Sequence, residues 1–203
     1  METRRGEVMK YAKFYREKLD MDLLERIDAE HKKKMRLLVS ELESGDGTKK
    51  RKKRQKASIL PNIALYKVFT ENGISKKKAY ELVKEYSFHI AKRNHNMLEK
   101  LFHIPGFFRV FGFFMRTGME GDEIWTSKII VDDSRKFHAD VLKCLWCDTC
   151  AYFGCPELCE IFCLCDHIVF GDIAKLEFDR SQTLGMGEEK CDFRFRSKNG
   201  GES

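Results

Sequence analysis

The chain has 203 residues, of which 42% are apolar and which include 16 Phe, 6 Tyr and 2 Trp; that is enough to build a packed core and excludes a disordered polymer. The longest apolar stretches, Phe107 to Met115 and Ile161 to Phe170, are short or carry Arg109, Asp166 and His167, so no membrane partner is expected. The net charge of +6 is local: Lys49, Lys50, Arg51, Lys52, Lys53, Arg54 and Lys56 form one run, and taking those seven from 38 basic residues leaves 31 against 32 acidic. No aromatic residue interleaves with that run, as a stacking surface for single strands requires. It therefore reads as a solvated linker, with no nucleic-acid partner.

From the N-terminus, Val8 to Leu42 carries apolar residues at helical spacing amid heavy charge, which suits one or two amphipathic helices ended by Ser44-Gly45-Asp46-Gly47. Beyond the basic run, Pro61 fits the first turn of a second helix that stops at Asn72-Gly73. Ser75 caps a third, whose stripe is Ala79, Leu82, Val83, Tyr86 and Ile90. After Pro105-Gly106 the pattern turns to strands at Phe107 to Met115, Ile124 to Val131 and Lys136 to Lys143. Cys147 to Phe170 reads as helical, with a break at Gly154-Cys155-Pro156. Strands at Leu176 to Ser181 and Lys190 to Arg196 close the chain before a frayed tail from Asn199. The expected architecture is α+β: N-terminal helices packed on an antiparallel sheet of about five strands, with a cysteine-rich helix crossing it.

All eight cysteines fall between Cys144 and Cys191. No charged-then-apolar leader opens the chain, so a cytoplasmic protein with reduced thiols is the expectation. Cys144, Cys147 and Cys150 recur by three, and Cys155, Cys159 and Cys163 by four, which places thiols along a helix face. Zinc or an iron–sulfur cluster needs four such thiolates to converge, but separated knuckle pairs are missing, and cysteine also fills cores as a small apolar residue. No metal is assigned. There is also no Gly-rich phosphate loop, nucleophile elbow or dinucleotide fingerprint.

A sparser pattern remains: Gly154-x-Pro156-Glu157-Leu158, Cys163-x-x-Asp166, Asp179-Arg180-x-x-Thr183-Leu184, Gly187 and Cys191-Asp192-Phe193, with Leu60-Pro61-x-Ile63-Ala64-Leu65-Tyr66 and Gly73-x-Ser75 upstream. In this combination, from about Ile59 to Phe195, the sequence resembles the L-2-amino-thiazoline-4-carboxylic acid hydrolase family. The resemblance implies a cytoplasmic bacterial hydrolase of cysteine metabolism that needs no organic cofactor. It would open a small cyclic C–N/C–S substrate, converting L-2-amino-thiazoline-4-carboxylate to N-carbamoyl-L-cysteine. It also implies a division into residues 1–57, a helical segment with the basic linker, residues 58–198, the hydrolase-like domain, and residues 199–203, a flexible tail.

That chemistry calls for a nucleophile or a base acting on water, a proton donor to the leaving sulfur, and a cation for the substrate carboxylate. Cys163 is the candidate nucleophile, or a thiol that shapes the pocket. Asp166, one helical turn on, should raise its pKa, so a scheme in which Asp166 activates water stands beside it. Cys191 and Asp192 are further catalytic candidates on opposite faces of a strand, and the alternation leaves open which face meets the site. Arg180 is the candidate carboxylate clamp, with Thr183, Cys144 and His138 as further substrate contacts; His138 and Asp140 share a strand face. The rival reading is a non-enzymatic small-molecule or metal-binding sensor on the same scaffold. The long helices also make a homo-oligomer plausible.

Overall fold

The computed structural model describes residues 10–198; Val8 and the tail from Asn199 lie outside them. In chain order the elements are α1 (Lys10–Tyr15), α2 (Met21–Ser44), α3 (Lys49–Ser58), α4 (Leu60–Glu71), α5 (Lys76–Phe102), α6 (Phe107–Met119), β1 (Trp125–Asp132), β2 (Lys136–Cys144), α7 (Leu145–Tyr152), α8 (Leu158–Phe170), β3 (Leu176–Asp179), a short 3-10 turn (Leu184–Met186) and β4 (Cys191–Ser197). No helix among the described residues is long and apolar enough to cross a membrane. The fold is α+β with an antiparallel sheet. The chain divides into two compact units, Met1–Asp46 with Leu60–Tyr86, and Gly47–Ile59 with Ser87–Ser203.

The first unit is helical. Asp20 caps α2 by accepting from the backbone N–H groups of Asp22 and Leu23. The buried face of α2 (Leu24, Ile27, Leu38) meets that of α4 (Ile63, Ala64, Val68, Phe69). Two buried polar groups are satisfied by backbone: the Tyr15 hydroxyl donates to the Leu82 carbonyl at 2.6 Å, and His31 Nε2 bonds the Pro61 carbonyl at 3.0 Å. Ser75 caps α5 by accepting from the Lys78 N–H.

The second unit is built on the sheet, in the order β1-β2-β4-β3 with every pair antiparallel. Alternation puts Phe137, Ala139 and Val141 of β2 and Cys191, Phe193 and Phe195 of β4 on one buried face. Phe195 stands opposite both Phe137 and Phe178 across the ladders. Helices cover this face: Phe111 of α6 and Phe170 of α8 each place a ring 5.0 Å from that of Phe195. The other face is polar, where Asp140 accepts from Lys190 at 2.7 Å and from Arg194 at 2.6 Å.

Two sequence expectations are corrected here. Phe107 to Met115 is not a strand but most of α6, so among the described residues the sheet has four strands, not five. Its buried positions, Phe108, Phe111 and Met119, recur at helical spacing, and aromatic propensity had masked that period. The basic run is likewise a helix, not a linker. Thr48 caps α3, Gln55 is buried and donates to Thr149 Oγ1 at 3.0 Å, and Arg51 pairs with Asp148.

Because Phe195 is fully buried among rings from three other elements, Phe195→Ala is expected to lower the unfolding free energy by about 3–5 kcal/mol. Urea denaturation of the two proteins measures the difference, and Phe195→Leu should lose much less.

Candidate active site

The site assembles where α8 passes over the chain between β3 and β4. Arg180 follows β3 directly and turns inward, so its side chain is wholly buried. Its Nη1 donates to Asp166 Oδ2 at 2.7 Å, and its Nη2 donates to the Cys163 carbonyl. The guanidinium also lies 5.1 Å from the ring centre of Phe193 and 5.9 Å from that of Phe178. One cation therefore grips α8 at both Cys163 and Asp166. Its remaining donor, Nε, is buried without a hydrogen-bond partner among the described residues.

The 3-10 turn then lies on the thiols. The Leu184 N–H donates to Cys191 Sγ at 3.3 Å. The next residue, Gly185, packs so closely that a Cβ there would lie 2.6 Å from Cys163 Sγ and 3.1 Å from the Cys159 carbonyl. Only glycine admits that approach. Thr183 begins the turn with its hydroxyl buried and without a conventional hydrogen-bond partner, beside the Cys163 sulfur.

These contacts set the charge on Cys163. A hydrogen bond from Cys191 is the largest influence and lowers its pKa; burial raises it, Thr183 lowers it, Asp166 raises it and Arg180 lowers it. The result is a thiol held down at about 6, well below the ordinary thiol range, which favours the thiolate form. The Asp166 effect anticipated from sequence is present but outweighed. Cys191 moves the opposite way, far above the ordinary thiol range, first because its proton is held by Cys163 and then through burial. The two thiols are thus driven in opposite directions by one shared hydrogen bond, Cys163 down and Cys191 up. Burial lifts the Asp166 carboxyl above its usual range against the pull of Arg180, although 36% of the side chain stays exposed.

The remaining candidates fall into two groups. Cys144, which ends β2 and precedes α7, lies close enough to Cys163 to feel its charge; burial pushes its pKa up to about 11. Asp192 and His138 point to the other face of the sheet from Cys191 and Phe137. Asp192 accepts from the Ser181 N–H at 3.0 Å, the Ser181 hydroxyl at 2.7 Å and the Gln182 N–H at 2.6 Å, which pins the segment leading into Thr183. His138 stands opposite Arg194, and burial followed by Arg194, Arg196 and Lys136 lowers its pKa.

Sequence spacing thus brings together Cys163, Asp166, Arg180, Thr183 and Cys191. It missed Gly185, whose only signal was a small residue after Thr183-Leu184. It also missed the backbone N–H of Leu184, which no side-chain pattern reveals. The expectation of reduced thiols is corrected at one pair: Cys147 of α7 and Cys159 of α8 are joined as a disulfide, with Cα atoms 5.2 Å apart, a separation suited to such a bond. Among the described residues, no group of three His, Cys, Asp or Glu side chains is arranged to hold a metal ion.

A family model described as L-2-amino-thiazoline-4-carboxylic acid hydrolase matches residues 52–195. The chain belongs to the L-2-amino-thiazoline-4-carboxylic acid hydrolase family. No curated protein and no solved structure matches it. Within this family member the matched segment begins in α3, ends in β4 and contains every candidate residue from His138 to Asp192.

If Cys191 holds the Cys163 thiolate, removing its proton must raise the Cys163 pKa. Site-resolved iodoacetamide labelling of the native protein is expected to rise with pH around about 6 and then level off. In Cys191→Ala the midpoint should move upward, and labelling at pH 7 should fall about tenfold. Unchanged labelling would remove Cys191 from that role.

Proposed function

We propose that the chain is a hydrolase that opens a small ring at a carbon held between sulfur and nitrogen, with L-2-amino-thiazoline-4-carboxylate as substrate, N-carbamoyl-L-cysteine as product and Cys163 as nucleophile. The observation that carries this reading is the placement of the two sulfurs under one turn, with Gly185 on Cys163 Sγ and the Leu184 N–H on Cys191 Sγ; the hydrogen bond from Cys191 holds the Cys163 thiol down at about 6. Membership of a family named for this reaction supports the substrate.

The chemistry follows from the pair. Cys163 Sγ adds to the ring carbon, and the bond from that carbon to the ring sulfur breaks, leaving an isothiourea-type adduct on Cys163. The departing sulfur needs a proton. Cys191 is a poor donor while Cys163 is an anion, because their shared hydrogen bond is the largest influence raising its pKa. Once Cys163 Sγ is bonded to carbon that influence disappears, and Cys191 becomes the donor. Water then adds to the same carbon and Cys163 leaves as a thiolate. One water is consumed, and the product carries a carbamoyl nitrogen and a free thiol.

Arg180 acts in this scheme as a positioning residue, holding the α8 backbone at Cys163 and neutralising Asp166. Asp192 acts at one remove, by pinning Ser181 and Gln182 so that Thr183 and Gly185 stay on the sulfur. The 3-10 turn covers Cys163, so substrate entry requires that turn to lift. A second reading makes Asp166 the base that activates water and leaves Cys163 as packing. The raised pKa and partial exposure of Asp166 favour it.

The test is product formation from L-2-amino-thiazoline-4-carboxylate, followed by mass spectrometry. Cys163→Ala is expected to lower kcat by about a thousandfold or more, and rapid quenching of the unaltered protein should trap substrate mass on Cys163. The ratio kcat/KM should rise with pH through about 6, because the thiolate is the reacting form. Full loss in Asp166→Asn, with near-normal rate in Cys163→Ala, would establish the second reading instead.

A further inference from the structure

The arrangement that suits Cys163 for attack on carbon also exposes it to a different reaction. Its sulfur and that of Cys191 meet consecutive residues of one turn: Leu184 donates its N–H to Cys191 Sγ, and Gly185 lies on Cys163 Sγ. No side chain projects from Gly185 between them. Because those contacts come from adjacent residues of one tight turn, the two sulfurs lie side by side beneath it, and each thiol shifts the proton affinity of the other. The other thiols are differently placed. Cys159, one turn before Cys163, is tied to Cys147. Burial pushes up the pKa of Cys144, Cys150 and Cys165, which slows their oxidation.

We propose that Cys163 and Cys191 form a reversible oxidation site, in which a hydroperoxide oxidises the Cys163 sulfur and Cys191 closes a disulfide on it. In the first step the Cys163 thiolate attacks the peroxide. The O–O bond breaks, an S–O bond forms, sulfur is oxidised to sulfenic acid, and hydroxide leaves. In the second step Cys191 Sγ attacks the sulfenic sulfur. The S–O bond breaks, the S–S bond forms, and the Cys191 proton departs with the hydroxyl as water. Two electrons pass from the two sulfurs to the peroxide oxygens. A hydroperoxide as small as hydrogen peroxide needs no wider passage than the water that hydrolysis consumes. The disulfide removes both the nucleophile and its proton donor, and an external thiol restores them.

The inference goes beyond the proposed hydrolysis and is read without turnover. The full chain is treated with a small excess of hydrogen peroxide, denatured so that every free thiol reacts, blocked with iodoacetamide and analysed by peptide mass spectrometry. The expected result is a Cys163–Cys191 cross-linked peptide, in addition to the Cys147–Cys159 link, with labelling of both cysteines falling together by about fivefold or more and returning after thiol treatment. In Cys191→Ser, dimedone should capture a sulfenic acid on Cys163, and a circular dichroism spectrum matching the unaltered protein shows that this variant is folded. Cys191→Ala serves as a second variant if the serine form does not fold. Cross-linking of Cys163 to Cys144, conversion of Cys163 to sulfinic acid while Cys191 stays open to iodoacetamide, or unchanged labelling of Cys163 would each overturn the proposal. A protein that forms the cross-link yet never turns over the thiazoline would refute the hydrolase reading and leave this one standing.

Discussion

The buried guanidinium of Arg180 is the constraint on which the site depends. A charge taken wholly out of water is costly unless its partners are in place, and here they are Asp166 and the Cys163 carbonyl, with the rings of Phe178 and Phe193 on its flanks. All of the ion-pair geometry lies between α8 and the residue that follows β3. Displacing the helix would strand the cation, so the position of α8 on the sheet is fixed by charge as well as by Phe170 packing on Phe195. Cys163 inherits its place from that arrangement.

Along one helix the same side chain takes three chemical characters. Cys159 is bonded to Cys147, Cys163 is a thiol held down at about 6, and Cys165 is a thiol pushed up to about 12 by burial and by Asp166. Helix position alone does not account for this. Cys163 differs in facing two donors, Cys191 and Thr183, from a segment far along the chain. Cys165 has burial and a like charge with nothing to offset them.

Much of this was legible in the sequence, for identifiable reasons. Pro61, Ser75 and the Gly154-Cys155-Pro156 break marked helix limits, because each acts locally, the prolines and glycine through their own backbone and the serine through its hydroxyl. Alternation in Lys136 to Lys143 and Lys190 to Arg196 separated the core face from the polar face correctly. The stretch from Phe107 failed because a run of aromatic residues satisfies strand propensity and a helical stripe alike. The basic run failed because its helix is secured by partners distant in sequence, Thr149 and Asp148. At the site, motif spacing collected Cys163, Asp166, Arg180, Thr183 and Cys191. The sharing of a proton between Cys163 and Cys191 was not legible, since it arises only when β4 and the 3-10 turn close over α8. Alternation also put Asp192 and His138 on the face away from the core residues, but it does not say which face meets α8.

The composition of α3 has a consequence for how the molecule responds to its medium. Lys49, Lys50 and Arg51 sit in the first turn, where the helix dipole disfavours cations, and the run repels itself along the whole element. Among what opposes this are the Thr48 cap, the buried Gln55, and partly exposed ion pairs to Glu123 and Asp148. Added electrolyte weakens those pairs, but it also screens a repulsion shared by seven charges. Ionic strength therefore acts on this helix through two opposed effects at once, loosening the pairs that tie it to its neighbours and easing the crowding of like charge within it.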